Sequence, residues 1–410
     1  MNKSSWGATA ASLDVGTTKT CAVVVASTAN GLEVIGVGEA PSSGLRKGVV
    51  TDLEETIRSI EAATERAERM AGVHISRVVV GVTGEHVRSM NHRGVVAIGG
   101  EDREVGRGDV RRVVDASRRV DVGAERQLLH ALPRHYAVDG QAGVNDPLGM
   151  SASRLELQSH IVTGGSASIA NLVKCVHRAG LEPAGIVFEP LASSEATLRA
   201  DEREQGVVLL DIGGGTTDVA VYAGGGAVHT STVALGGNAV TNDLAHGLQT
   251  TFAEAERVKR AAASASEERD DEPPVDVRGL DGRTLQRVPR AHLRAIVAPR
   301  LAEIFALARA QVAAGVPRDV VVAEIVVTGG GAHLHGIERA ASAAFGVPAR
   351  IGIPSLAGLG DAVRRPEYAT AVGLLLFGSG RAVAAAETGR RARGRPLGTR
   401  LAGWFGDLWN

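Results

Sequence analysis

The chain has 410 residues, 44% of them apolar and 22% charged, which suits a soluble globular protein of roughly two to four domains. A formal charge of −1 gives no electrostatic footprint for nucleic acid, and none is expected as a partner. Two cysteines, Cys21 and Cys175, make no disulfide framework and fit a reducing compartment, and no leader h-region or apolar run near the ~20 residues of a bilayer span is expected.

In chain order, SLDVGTTKTCAVVV (12–25) reads as a strand, a tight glycine turn and an antiparallel strand. GLEVIGVGEA (31–40) continues as a strand, DLEETIRSIEAATERAERMAG (52–72) as an amphipathic helix ending at Gly72, and RVVVGVTG (77–84) as a buried strand. Residues ~86–162 carry strands, a helix and Pro/Gly turns of their own and read as an insert. LLDIGGGTTDVAVY (209–222) then repeats the pattern of the first hairpin, which implies duplication of a whole domain. GGAVHTSTVAL (225–235) is a strand, and GGNAVTNDLAHGL (236–248) starts a helix with its cap expected near Thr241 or Asn242. Residues ~248–319 contain helices, including VAPRLAEIFALARAQVAAG (297–315), and a polar loop, SASEERDDEPP (264–274), expected to be solvated and mobile. EIVVTGGGAHLHGIERAASAAFG (324–346) is strand, glycine turn and helix, and ETGRRARGRPLGTR (387–400) is a basic linker.

The chemistry lies in the glycine turns. Such turns present consecutive backbone N–H groups as an anion-binding concavity, and threonine hydroxyls add donors. Asp14 and Asp211 end the entering strands, so they are expected to face each other and hold the water shell of a Mg²⁺ ion. Lys19 offers a point charge to a phosphate. Gly329, Gly330 and Gly331 follow a strand and precede a helix, where backbone can approach a ring or ribose closely. Glu256 and Lys259 share a helix face at i, i+3; they either reach the nucleoside or form an exposed ion pair. His130, His135, His333 and His335 lack a recognisable ligand partner and read as core or solvated histidines.

The set DVGTTKT, DIGGGTTDVAVY and VVTGGGAHLHG resembles the actin-like ATPase superfamily. Within it, GVGEAPSSGLRKGVVTDLEETIRSI (36–60), LHALPRHYAVDGQAGVNDPLGMSASRLE (129–156), NLVKCVHRAGLEPAGIVFEPLASSEATL (171–198), GGNAVTNDLAHGL and RPEYATAVGLLLFG (365–378) resemble the bacterial FtsA cell-division family, from about residue 11 to 378. The resemblance implies an α/β actin-like ATPase fold: two duplicated α/β domains around a nucleotide cleft, with an inserted α+β subdomain in the first half. It divides the chain into a first actin-like domain (1–86 and 163–200), the insert (87–162), a second actin-like domain (201–247 and 320–380), a small subdomain (248–319), a basic linker (381–396) and an amphipathic membrane-targeting helix (397–410).

Carried over by position, Gly16, Thr17, Thr18 and Lys19 form the first phosphate loop, and Gly213, Gly214, Gly215, Thr216 and Thr217 the second. Gly236, Gly237, Asn238, Glu256, Lys259 and Gly329–Gly331 line the nucleoside of a bound ATP, with Mg²⁺ beside it. Glu189 in FEPLASSEA matches the glutamate that orients the attacking water, alongside Asp14 and Asp211; a structural connector glutamate is the other reading. At most slow ATP hydrolysis follows. The family polymerises on the cytoplasmic face of the membrane at the division site, anchors FtsZ through its C-terminal peptide (here at 248–319), and recruits other divisome proteins through the insert (87–162).

The final stretch, GTRLAGWFGDLWN (398–410), places Leu401, Trp404, Phe405, Leu408 and Trp409 on one helical stripe. Six arginines (381, 390, 391, 393, 395 and 400) against Glu387 alone precede it, which suits an anionic membrane surface. Gly403 and Gly406 each cost about 1 kcal/mol of helicity, so the segment is expected to fold on contact with lipid. Docking on the protein's own body or on a partner is the alternative for the tail. For the whole chain the alternatives are a soluble phosphotransferase of the same superfamily and an actin-like pilus-assembly protein. The first needs a substrate pocket with a catalytic base, and the second leaves the DPLGM segment and the tail unexplained.

Overall fold

The computed structural model describes residues 9–28, 31–100, 102–355 and 360–378. The linker and the membrane-targeting residues Leu401, Trp404, Phe405, Leu408 and Trp409 lie outside them.

The first half opens with β1 (Thr9–Val15), β2 (Lys19–Thr28) and β3 (Gly31–Pro41), an antiparallel meander in which Asp14 pairs with Cys21 and Cys21 with Glu39. A small hairpin, β4 (Leu45–Arg46) and β5 (Val49–Val50), leads to α1 (Leu53–Ala71). The Asp52 side chain caps α1 by accepting from the Glu55 amide, and Gly72 ends it at φ 67°, a left-handed conformation that glycine adopts without strain. The helix lies so close on β3 that a side chain at Gly38 would collide with the Ala63 carbonyl. β6 (Arg77–Val82) follows, parallel to β1.

The insert consists of β7 (Arg88–Ala97), α2 (Arg107–Arg118), β8 (Arg126–Val138), β9 (Gln141–Val144) and β10 (Arg154–Gly165). Its strands form a separate sheet, β7-β10-β8-β9, with its own core around Val113, Tyr136, Leu155 and Leu157. The chain returns through α3 (Ser166–Arg178) to β11 (Glu182–Phe188), which completes the first sheet in the order β11-β6-β1-β2-β3. α4 (Glu189–Thr197) and α5 (Ala200–Gln205) lead out of it.

The second half repeats the plan with β12 (Val207–Ile212), β13 (Thr217–Ala223), β14 (Gly226–Val233), α6 (Gly237–Gly247) and α7 (Phe252–Ala262). After a hairpin of β15 (Val275–Arg278) and β16 (Leu285–Val288) come α8 (Arg290–Gly315), β17 (Glu324–Thr328), α9 (Ile337–Phe345), β18 (Ala349–Ile351) and α10 (Ala369–Gly378). The second sheet has the order β14-β13-β12-β17-β18, strand for strand the order of the first. Both combine an antiparallel meander with two parallel strands, so the duplication read from the hairpins extends to the whole sheet.

Helices cover the sheets crosswise. α4 continues from the first half yet packs on β12 and β13, while α10, expected within the second domain, packs on β1 and β6 of the first. The two helices meet where a side chain at Gly373 would collide with the Ala192 carbonyl. A further link joins the halves through the insert. Ser89 Oγ donates to the Thr230 carbonyl (2.7 Å) and Asn91 Nδ2 to the Val228 carbonyl (3.0 Å), so β7 side chains grip the backbone of edge strand β14. His160 sits between Asn91 Oδ1 (2.9 Å) and Thr230 Oγ1 (3.0 Å), and burial pushes its pKa down to about 3, which keeps it neutral.

Three local expectations change. α6 starts about a turn before Thr241, because the Gly237 and Asn238 amides are satisfied by the Gly213 and Gly214 carbonyls (2.9 and 2.8 Å) instead of by a side-chain cap. α8 begins at Arg290 and runs through Pro299. The loop at 264–274 is pinned: Ser264 is buried against His335, and Arg294 grips Asp270 at 2.7–3.1 Å. No helix among the described residues is long and apolar enough to cross a membrane.

Candidate functional site

The two glycine hairpin turns meet between the sheets. Each is closed by one backbone bond, Gly16 N–H to Lys19 O (3.0 Å) and Gly213 N–H to Thr216 O (2.9 Å). They interlock: a side chain at Gly214 would collide with Thr18 Oγ1, and one at Gly215 would lie 2.5 Å from Thr17 Oγ1. Glycine is required here by close approach. The α6 N-terminus draws the Gly213 and Gly214 carbonyls to itself, and Gly236 packs against the Gly213, Gly214 and Thr216 carbonyls at its capping position. With those carbonyls turned to α6, the Gly214 and Gly215 amides meet no acceptor among the described residues.

Four buried carboxylates surround these turns: Asp14, Asp211, Glu189 and Asp218. Asp211, on β12, accepts hydroxyl bonds from Ser193 of α4 and from Thr370 of α10 (3.1 Å), and burial still raises its pKa. Asp14 has no hydrogen-bond donor among the described residues. Burial drives it up to about 7; nearby Lys19 lowers it, while Asp211 and Glu39 add to the rise. Glu189 opens α4 directly before Pro190, over Gly81 of β6; burial, then Asp14, Asp218 and Asp211, push its carboxyl well above the ordinary range. Asp218, missing from the expected set, accepts from Thr83 (2.5 Å) and Thr232 (2.6 Å) and is raised by burial to about 7. Its signal was present in DIGGGTTD: a charged residue starting an otherwise buried strand needs partners from elsewhere.

Among the described residues, no three His, Cys, Asp or Glu side chains converge closely enough to hold a metal ion directly.

Lys19 is engaged elsewhere. Its ammonium lies 2.8 Å from Glu39 Oε1 and 3.2 Å from the Glu367 carbonyl, over the Tyr368 ring. Thr217 Oγ1 donates to the Leu235 carbonyl (2.8 Å), tying the second turn to the start of α6. Glu256 and Lys259 form the i, i+3 ion pair (2.6 Å), and both bond Thr241 Oγ1 while Lys259 also reaches the Gly237 carbonyl (3.1 Å). They are half-buried beside the start of α6, so the ion pair of the second reading is formed but is not exposed. Gly329 has φ 80° and packs against Asp211, Gly331 packs on Ile212, and Gly330 has open space where a side chain would stand. Of the histidines, His130 is half-buried and its Nε2 accepts from the Phe188 amide (2.9 Å), whereas His333 pairs with Glu367 (2.6 Å). The structure thus brings the turns at Gly16–Lys19 and Gly213–Thr217 together between the sheets, with Gly236–Asn238 and Gly329–Gly331 packed against the second turn and the end of β12, and Glu256 and Lys259 beside the start of α6.

Duplicated sheets of matching order, a cleft between them and paired glycine turns define an actin-like ATPase fold. Solved structures of that fold superpose over nearly the whole chain: a PilM–PilN type IV pilus biogenesis complex (TM-score 0.63, 18% identity, 92% of this chain and 99% of that one) and MreB5 of Spiroplasma citri bound to ADP (TM-score 0.56, 15% identity, 92% and 97%). Residues 208–373 match the family model of cell division protein FtsA, and residues 84–163 that of the SHS2 domain inserted in FtsA. Cell division protein FtsA of Pseudomonas aeruginosa is 43% identical over 369 residues (89% of this chain, 88% of the relative), and that of Bacillus subtilis 35% over 395 residues (95% and 86%). The chain belongs to the FtsA family of actin-like cell-division proteins.

Proposed function

We propose that this chain binds ATP with Mg²⁺ in the cleft, polymerises on the cytoplasmic face of the membrane at the division site, and anchors FtsZ there while recruiting later divisome proteins. The observation that carries the nucleotide reading is the interlock of Thr17 and Thr18 with Gly214 and Gly215, with unpaired amides facing a carboxylate cluster. Phosphates would be held by those amides and the threonine hydroxyls, and the ribose and base by Gly236–Asn238, Glu256, Lys259 and Gly329–Gly331. Asp14 and Asp211 would hold the water shell of Mg²⁺, which would supply positive charge to offset theirs. Glu189 would orient the attacking water. It would act by accepting a hydrogen bond from that water and polarising it.

The domain boundaries drawn from the sequence stand as part of this proposal, with α10 reassigned to the face of the first sheet. Between α8 and α9 runs an apolar groove of about 420 Å³ lined by Ala298, Leu301, Ala302, Phe305, Ala340 and Ala344. It borders the small subdomain and suits the apolar side chains of an FtsZ C-terminal peptide. The insert would serve filament and divisome contacts. Leu401, Trp404, Phe405, Leu408 and Trp409 would enter the bilayer interface; one copy contributes roughly 4–7 kcal/mol before ordering costs, so filaments bind far more tightly than monomers.

The test is sedimentation with anionic liposomes. Full-length protein with Mg-ATP is expected to pellet, and removal of residues 397–410 to abolish pelleting. Unchanged pelleting by the truncated chain would sink the tether.

A further inference from the structure

Lys19 closes the first turn and opens β2, and in the β2–β3 register it sits diagonally across from Glu39, which pairs with Cys21. Diagonal neighbours on one face of an antiparallel pair are within reach of long side chains. The Lys19 ammonium spends two donors, on Glu39 Oε1 (2.8 Å) and on the Glu367 carbonyl (3.2 Å), and lies 4.3 Å from the Tyr368 ring centre. The contacts continue from there. The Tyr368 hydroxyl accepts from Arg365 (2.8 Å), Arg365 pairs with Glu367 (3.3 Å), and Glu367 pairs with His333 (2.6 Å), two residues beyond Gly331. One chain of charged and polar groups therefore runs from the first phosphate loop to the nucleoside loop.

We propose that Glu39 and Tyr368 are positioning residues that compete with nucleotide phosphate for the Lys19 ammonium and so set the affinity of the cleft for ATP. The inference rests on the nucleotide reading above. A charge-assisted bond to a carboxylate is among the stronger polar contacts, so a phosphate must displace Glu39 or share the ammonium with it. The Tyr368 ring holds the ammonium on the Glu39 side through a cation–π contact. Removing the Glu39 carboxylate leaves the ammonium to the phosphate.

The experiment titrates a fluorescent ATP analogue with Mg²⁺ into the full-length chain, into Glu39→Gln and Glu39→Ala, and into the same variants carrying Lys19→Met. The Glu39 side chain is 39% exposed, so both substitutions are compatible with folding, which circular dichroism checks. Both Glu39 variants are expected to tighten analogue binding about tenfold, the scale of one charged hydrogen bond. With Met at position 19 the Glu39 substitutions are expected to change affinity less than about twofold, since the competitor then has nothing to compete for. Weakened or unchanged binding in the Glu39 variants, or equal tightening with Met at position 19, overturns the inference while leaving the nucleotide reading intact. No binding by the unaltered chain overturns the nucleotide reading and this inference with it.

Discussion

The two halves share a strand order but treat their matching aspartates differently. Asp211 is satisfied by two hydroxyls that arrive on α4 and α10, one from each crossing helix. Asp14 receives no such donor among the described residues; it sits buried near Lys19 and is driven up to about 7. Duplication therefore copied the position without copying the environment. Asp211 is built into the joint between the halves, and Asp14 is left in electrostatic conflict that a cation would relieve.

The largest effect expected is at the joint itself. Gly373→Val places a branched side chain against the Ala192 carbonyl and should cost about 3 kcal/mol, read from urea unfolding. A loss well under that would mean α4 and α10 yield easily, and the contrast drawn from them weakens. Next, Asp211→Asn forces an amide donor or a weaker acceptor onto Ser193 and Thr370, with about 2 kcal/mol lost in the same measurement.

The pH dependence is smaller and has a definite sign. Asp14 and Asp218 have folded-state pKa values raised to about 7, so the folded protein holds protons that the unfolded chain releases. Their contribution is fully present below the unfolded values and is lost as pH rises through about 7. In chelator-treated protein the urea midpoint should fall between about pH 5 and about pH 8. A flat or rising profile would count against the buried cluster. The smallest effect is Asp14→Asn, within about 1 kcal/mol of the parent or slightly stabilising at pH 8, because it removes a buried like charge and orphans no donor. A cost equal to that of Asp211→Asn would erase the asymmetry between the halves.

Much of this was legible in the chain. The matched hairpins carry local signals, glycine turns between β-branched runs, and these hold because turn chemistry depends on adjacent residues. The helix expected over 52–72 is α1 within a residue at each end, since Asp52 and Gly72 are local caps. What depends on distant chain was hidden. The start of α6 is set by carbonyls more than twenty residues earlier in sequence, at Gly213 and Gly214. Asp218 gains its meaning from Thr83 on the other half, and the loop at 264–274 is held by Arg294 and His335. Likewise the partners of Lys19 come from β3 and from the turn before α10. No window of neighbouring residues contains that information.

The grip of β7 on β14 has a mechanical consequence. Two bodies joined only through the crossing of α4 and α10 can rock about that crossing like a scissor about its pin. Ser89, Asn91 and His160 add a brace at the far edge strand of the second sheet, away from the pin. A pin and an off-axis brace together convert free rocking into leverage. Whatever turns one half against the other must stretch the brace or carry the insert along, and a load applied to the insert returns by the same arm to the cleft.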